Sequence, residues 1–222
     1  MKSVNWRLMV GVAIVATILL ICASSIFGSS GETADYIYEA SEATGMIGEK
    51  VIGEPETAEM IVYEYADFGC SHCAEWNQKL NEIVEKTEGK IAVVFRYYNI
   101  GLFKNSATAA RAATAAQMQG YFGEYKDLLF SNQAEWLYAD GEELEGLLAE
   151  YFEIASAGAG DAVRFKSDME SEAVKKRLRF EQNMGKKVGL SGTPLFRING
   201  ENVSAGKLAE KMEEWLGVQD MI

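Results

Sequence analysis

Apolar positions along the chain fall into three regimes. An uncharged run fills residues 8–27, two strand-like runs follow at 60–68 and 91–98, and helical periodicity then dominates as far as residue 187. At about 1.5 Å per helical residue, the first run spans roughly the 30 Å hydrocarbon core of a bilayer. That is longer than the apolar region of a cleavable signal peptide, so residues 1–28 read as an uncleaved single-pass transmembrane anchor. The alternative is a signal peptide cut near Ala23-Ser24-Ser25. Lys2 and Arg7 stay cytoplasmic by the positive-inside rule, which exports the rest of the chain to the extracytoplasmic side. Cys22 follows Ile21 rather than a small residue, and it reads as an ordinary apolar residue of that segment.

Residues 29–48 are rich in Gly, Ser, Ala and acids and read as a flexible stalk, with a short helix possible at 34–44. Between residues 32 and 59 eight acidic residues face one lysine, Lys50. The run 60–68 is β-branched, aromatic and mostly apolar, as a buried strand should be, with Glu64 as the exception. Gly69 breaks it, and a helix is predicted over 70–86 with Trp76, Leu80, Ile83 and Val84 on one side. A second strand at 91–98 completes a right-handed βαβ unit with parallel strands. Helical spacing then covers 106–118, where alanine dominates, followed by 125–130, 142–152 and 161–187. Residues 193–198 are strand-like, Asn199-Gly200 is a hairpin signal, and 201–203 pairs back. Ser204 is placed to cap a last amphipathic helix through Leu216. The fold class is α/β: a sheet whose hairpin runs against the βαβ pair, helices on both faces, and a helical insertion at about 104–187 within a domain of 49–222.

Composition narrows the function. With 48% hydrophobic and 24% charged residues the chain is ordinary globular protein, and a net charge of −12 argues against a nucleic-acid partner. The basic cluster of Lys175, Lys176, Arg177, Arg179, Lys186 and Lys187 reads as a solvated helix face. Three cysteines and one histidine leave Cys70, His72 and Cys73 as the Cys and His residues of the exported part. A structural zinc site needs about four such ligands, so no metal is expected.

The segment Asp67-Phe68-Gly69-Cys70-Ser71-His72-Cys73 carries the chemistry. A cysteine that opens a helix after a strand points its sulfur at free backbone N–H groups and the positive end of the helix dipole, which favours the thiolate. Cys70 is therefore the attacking, exposed thiol. Cys73, one turn on, is set deeper as the resolving thiol and is near enough to form a disulfide. A ring N–H or imidazolium of His72 near the sulfur would stabilise the thiolate further and make the disulfide more oxidising; the plain alternative is an exposed helix residue. Glu64 is costly in an apolar strand unless paired or functional. It either exchanges a proton with Cys73 or faces solvent at a strand end. Thr193-Pro194, containing one of two prolines, either simply opens a strand or forms a cis bond that exposes the Thr193 backbone to an extended substrate chain.

These residues together resemble the DsbA-like branch of the thioredoxin superfamily, thiol–disulfide oxidoreductases of exported compartments. The resemblance rests on IVYEYADFGCSHC at 61–73, VVFRYY at 93–98, the alanine-rich stretch 107–130 and VGLSGTPLFRING at 188–200. It implies a thioredoxin-like fold with a helical insertion, a redox-active Cys70–Cys73 disulfide, a cis Pro194 beside Thr193, and Glu64 as the acidic strand residue. It also implies no bound cofactor, reduced exported proteins as substrates, and a membrane partner that reoxidises the pair. Ser71 stands where the best-known members carry proline, which bears on oxidising strength. Two further readings stay open: a reductase or isomerase of the same fold, and a thioredoxin-fold chaperone holding Cu(I) on Cys70, Cys73 and His72.

Overall fold

The computed structural model describes residues 47–217. The anchor at 1–28, the helix at 34–44 and all of the stalk except residues 47–48 lie outside them. Among the described residues no helix is long and apolar enough to cross a membrane.

Strands β1 (Lys50–Ile52), β2 (Met60–Ala66), β3 (Ile91–Tyr97), β4 (Leu195–Ile198) and β5 (Glu201–Ser204) form one sheet in the order β1-β3-β2-β4-β5. As expected of a βαβ unit, β2 and β3 are parallel, in register from Met60↔Ile91 to Ala66↔Tyr97. The β4–β5 hairpin runs against β2, with Glu64 opposite Phe196. Strand β1, which the acidic composition around it concealed, pairs antiparallel with β3 at the far edge.

Eight helices complete the described chain: α1 (Ser71–Lys86), α2 (Ser106–Gln117), α3 (Phe122–Ser131), α4 (Gln133–Trp136), α5 (Gly141–Ala155), α6 (Ala162–Met169), α7 (Glu172–Lys187) and α8 (Ala205–Leu216). Side chains alternate across a strand, so Met60 and Val62 of β2 face one way and Tyr63 and Tyr65 the other. The first pair packs with Trp76, Leu80 and Ile83 of α1 and Leu208 and Met212 of α8. The second pair packs with Met184 of α7 and with Leu190. The insertion builds its own core on the alanines of α2, where Ala109, Ala110, Ala112, Ala113, Ala115 and Ala116 are all buried. A methyl-only face brings α3, α5 and α6 close around it.

Two helical expectations are corrected. The stretch 161–187 is two helices, because the Ser171 hydroxyl accepts from the Val174 N–H and starts a new helix after the first ends at Met169. Ser204 holds the N-cap position of α8, but its side chain makes no capping hydrogen bond.

The basic run on α7 is not wholly a solvated face. Arg177 is buried, bonded to Glu49 at 2.7 Å and to Glu181 at 2.6 Å, while Lys50 reaches Glu181 at 2.7 Å and Arg96 reaches Glu49 at 3.2 Å. Burial brings Lys50 down to about 8. Burial alone would raise Glu181, yet Lys50 and Arg177 hold it at about 2. This network fastens β1 and α7 to the sheet.

Candidate active site

Cys70 is the N-cap residue of α1, with extended backbone, between the turn that leaves β2 and the first helical turn. Its thiol is lowered to about 5. The hydrogen bond from the Cys73 thiol is the largest cause, and the N–H groups of Cys73 and His72 and the Thr193 hydroxyl add to it against the opposing effect of burial. Cys73 goes the other way: burial first, then Cys70 and the Glu64 charge, push its thiol far above the ordinary range. The two cysteines stand as free thiols.

Cys70 is less open than the sequence led us to expect. It is 6% exposed, against 0% for Cys73, so it is the more accessible of the pair without being an exposed residue. The Thr193 carbonyl oxygen sits 3.5 Å from its sulfur and accepts the thiol proton. The Thr193–Pro194 bond is cis. In the dithiol the buried Thr193 hydroxyl has no hydrogen-bond partner among the described residues, so a thiolate at Cys70 offers that donor an acceptor.

Glu64 is 1% exposed in the middle of β2, between Phe95 and Phe196 on the neighbouring strands. The solvent-facing alternative therefore fails. Strand alternation puts Glu64 on the face of Met60 and Val62, which is the α1 face, the side from which Cys73 projects. Burial raises its carboxyl to about 7, with Lys126 pulling in the opposite direction, and its Oε1 has no hydrogen-bond partner among the described residues.

His72 is placed differently from the expectation. Its ring is turned outward, with Nδ1 3.4 Å from Glu75 Oε2 and 73% of the side chain exposed. What His72 lends Cys70 in this geometry is its backbone N–H.

Three residues near the pair escaped sequence reasoning. Asp67 is fully buried at the end of β2. Gln133 of α4 donates to the carbonyls of Phe68 (2.6 Å) and Cys70 (3.0 Å), tying the insertion to the active-site turn. Lys126, buried on α3, donates to Asn77 and to Asp127 at 2.9 Å. The one available signal was a lysine on an otherwise apolar helix face. Among the described residues no three His, Cys, Asp or Glu cluster as a metal site.

A family model described as Thioredoxin matches residues 46–217. The chain belongs to the thioredoxin family. A probable disulfide bond formation protein D of Bacillus anthracis is 23% identical over 210 residues, covering 90% of this chain and 91% of that one. The Na(+)/H(+) antiporter NhaA of Herminiimonas arsenicoxydans is 28% identical over 149 residues, covering 67% of this chain. The chain spans only about a fifth of such antiporters, 22% in that case. Among solved structures, oxidised BdbD of Bacillus subtilis aligns with a TM-score of 0.64 at 18% identity, over 77% of this chain and 94% of that one. MdbA of Actinomyces oris, a thiol-disulfide oxidoreductase, aligns with a TM-score of 0.60 at 19% identity, over 78% and 86% of the two chains. Family and fold are those of a thioredoxin, with the paired thiols of Cys70 and Cys73 at the start of α1.

Proposed function

We propose that this thioredoxin-family chain is an exported, membrane-anchored dithiol oxidase that donates a Cys70–Cys73 disulfide to reduced exported proteins. The observation that carries the reading is the opposite fate of the two thiols. Cys70 is held as a thiolate while Cys73 is buried as a thiol beside a carboxyl near neutrality. Stabilising the Cys70 thiolate stabilises the reduced protein, and that makes the disulfide oxidising.

A substrate thiolate attacks the Cys70 sulfur, the Cys70–Cys73 bond breaks, and Cys73 leaves with the electron pair. It takes a proton from Glu64. A second substrate thiolate then attacks the substrate sulfur of the mixed disulfide and expels Cys70 as its stable thiolate. The substrate has lost two electrons and the protein has gained them. Reoxidation reverses the roles: Cys70 attacks the disulfide of a membrane redox partner, and Cys73, deprotonated by Glu64, displaces the partner thiol. The Thr193 backbone, next to Cys70, suits pairing with an extended substrate chain.

The test mixes the oxidised full chain with a reduced, unfolded model protein and counts substrate disulfides. One per chain, abolished by Cys70→Ser, is expected. Failure to transfer, with reduction of substrate disulfides by the dithiol form instead, would make the protein a reductase.

A further inference from the structure

Asp67 has no part in the transfer steps above, yet its backbone and side chain meet every piece of the active-site turn. Its carbonyl accepts the Cys70 N–H at 3.0 Å, and its own N–H faces the Cys73 sulfur. One side-chain oxygen, Oδ1, accepts from the Gly69 N–H at 3.0 Å and from the Ser106 hydroxyl. The other, Oδ2, accepts from the Ile100 N–H at 3.0 Å. The residue is fully buried. Each partner of its carboxylate is a donor, and Ser106 is also the first residue of α2, where a helix N-terminus favours a carboxylate. The Tyr97 hydroxyl, 3.2 Å from the Ser106 hydroxyl, extends the chain of polar groups inward.

The bonds at Gly69 and Cys70 make an Asx turn stacked on a backbone turn. That double turn sets the direction in which α1 leaves the sheet, and so aims the His72 and Cys73 N–H groups at the Cys70 sulfur. The bonds at Ile100 and Ser106 tie the same turn to the loop after β3 and to the insertion. Phe103, in that loop, packs so closely on Gly69 that a Cβ there would lie 2.4 Å from its ring.

We infer that Asp67 is a positioning residue for the redox pair, holding the Cys70 turn in the geometry that stabilises the thiolate and coupling it to the helical insertion. The inference deepens the oxidase reading and rests on it for its physiological meaning. An asparagine at 67 has one acceptor oxygen and an amide that points hydrogens at a backbone donor, so at least one clamp opens.

The test measures, in the full chain, the Cys70 pKa by thiolate absorbance and the exchange constant with glutathione, for wild type, Asp67→Asn and Ser106→Ala. The expected result for Asp67→Asn is a raised Cys70 pKa and an exchange constant displaced about tenfold toward the oxidised protein, about 30 mV. Ser106→Ala should displace both in the same direction by less, and it carries the test if Asp67→Asn does not fold. The sign discriminates, because a carboxylate acting only by its charge would, once removed, lower the Cys70 pKa. A lowered pKa overturns the inference. So do variants that melt earlier yet keep the wild-type pKa and exchange constant, the behaviour of a merely structural residue. A wild-type potential near that of thioredoxin, with the Asp67→Asn displacement still present, would instead remove the oxidase reading and leave Asp67 in its role.

Discussion

The sulfur of Cys70 and the carbonyl oxygen of Thr193 lie 3.5 Å apart although 123 positions separate the residues in the chain. The antiparallel pairing of β4 with β2 closes that distance, because it carries the start of β4 to the end of β2, where the helix bearing both cysteines begins. A nucleophile and a backbone acceptor are thus held side by side on rigid elements.

Replacing Thr193 with valine keeps shape and removes only the hydroxyl. We expect the Cys70 pKa to rise by up to about one unit, about 1.4 kcal/mol, as the thiolate loses one donor. The dithiol form, relieved of an unsatisfied buried hydroxyl, should gain stability of about 1 kcal/mol. Alkylation titrations and urea melts of the reduced protein check both.

The alkylation rate of Cys70 should titrate with a midpoint near 5 rather than the ordinary 9, while Cys73 stays unreactive across the range. Because the folded pKa is depressed, the stability contributed by Cys70 is complete above about 9. It declines as pH falls and is absent below about 5. The stability gap between reduced wild type and Cys70→Ser should therefore widen from pH 5 to 9.

Glu64 works with the opposite sign. Its folded pKa of about 7 lies above the ordinary 4.5, so its favourable contribution is complete below about 4.5 and is lost as pH rises through 7. Glu64→Gln should gain stability over wild type across that window. It should also slow the steps that move a proton to or from Cys73 by about 100-fold or more. Stopped-flow reoxidation by a small disulfide, read with urea melts at pH 4.5 and 8, tests the pairing of these two effects.

Arg177 and Arg179 are separated by one residue and differ completely in surroundings. Arg177→Met should cost about 3–5 kcal/mol, because it leaves the buried Glu181 and the half-buried Glu49 short of a cation. Arg179 has 63% of its side chain exposed, and Arg179→Ala should stay within about 0.5 kcal/mol of wild type. Equal losses in denaturant melts would contradict the buried network.

The sheet core was legible because 60–66 and 91–97 are nearly continuous apolar runs, a pattern only doubly covered strands require. Strand β1 was not, since three residues carry too little periodicity and their lysine sits among acids while its own partner, Glu181, lies on α7. Arg177 was misread for the same reason: pairing across 128 residues of sequence leaves no local trace. At the site, spacing and residue type singled out Cys70, Cys73, Glu64 and Thr193-Pro194 as candidates. The direction of the His72 ring is a rotamer choice that local sequence does not encode. Asp67 stands within the motif, yet its use depends on Ile100 and Ser106, which only the folded chain brings to it.

The reduction potential of the full chain, equilibrated with glutathione, tests the central claim most directly. A thiolate as stabilised as that of Cys70 predicts a value well above the roughly −270 mV of thioredoxin, toward the −120 mV or so of the strongest oxidant of this kind. A value at or below that of thioredoxin would contradict the account and reverse the direction of electron flow.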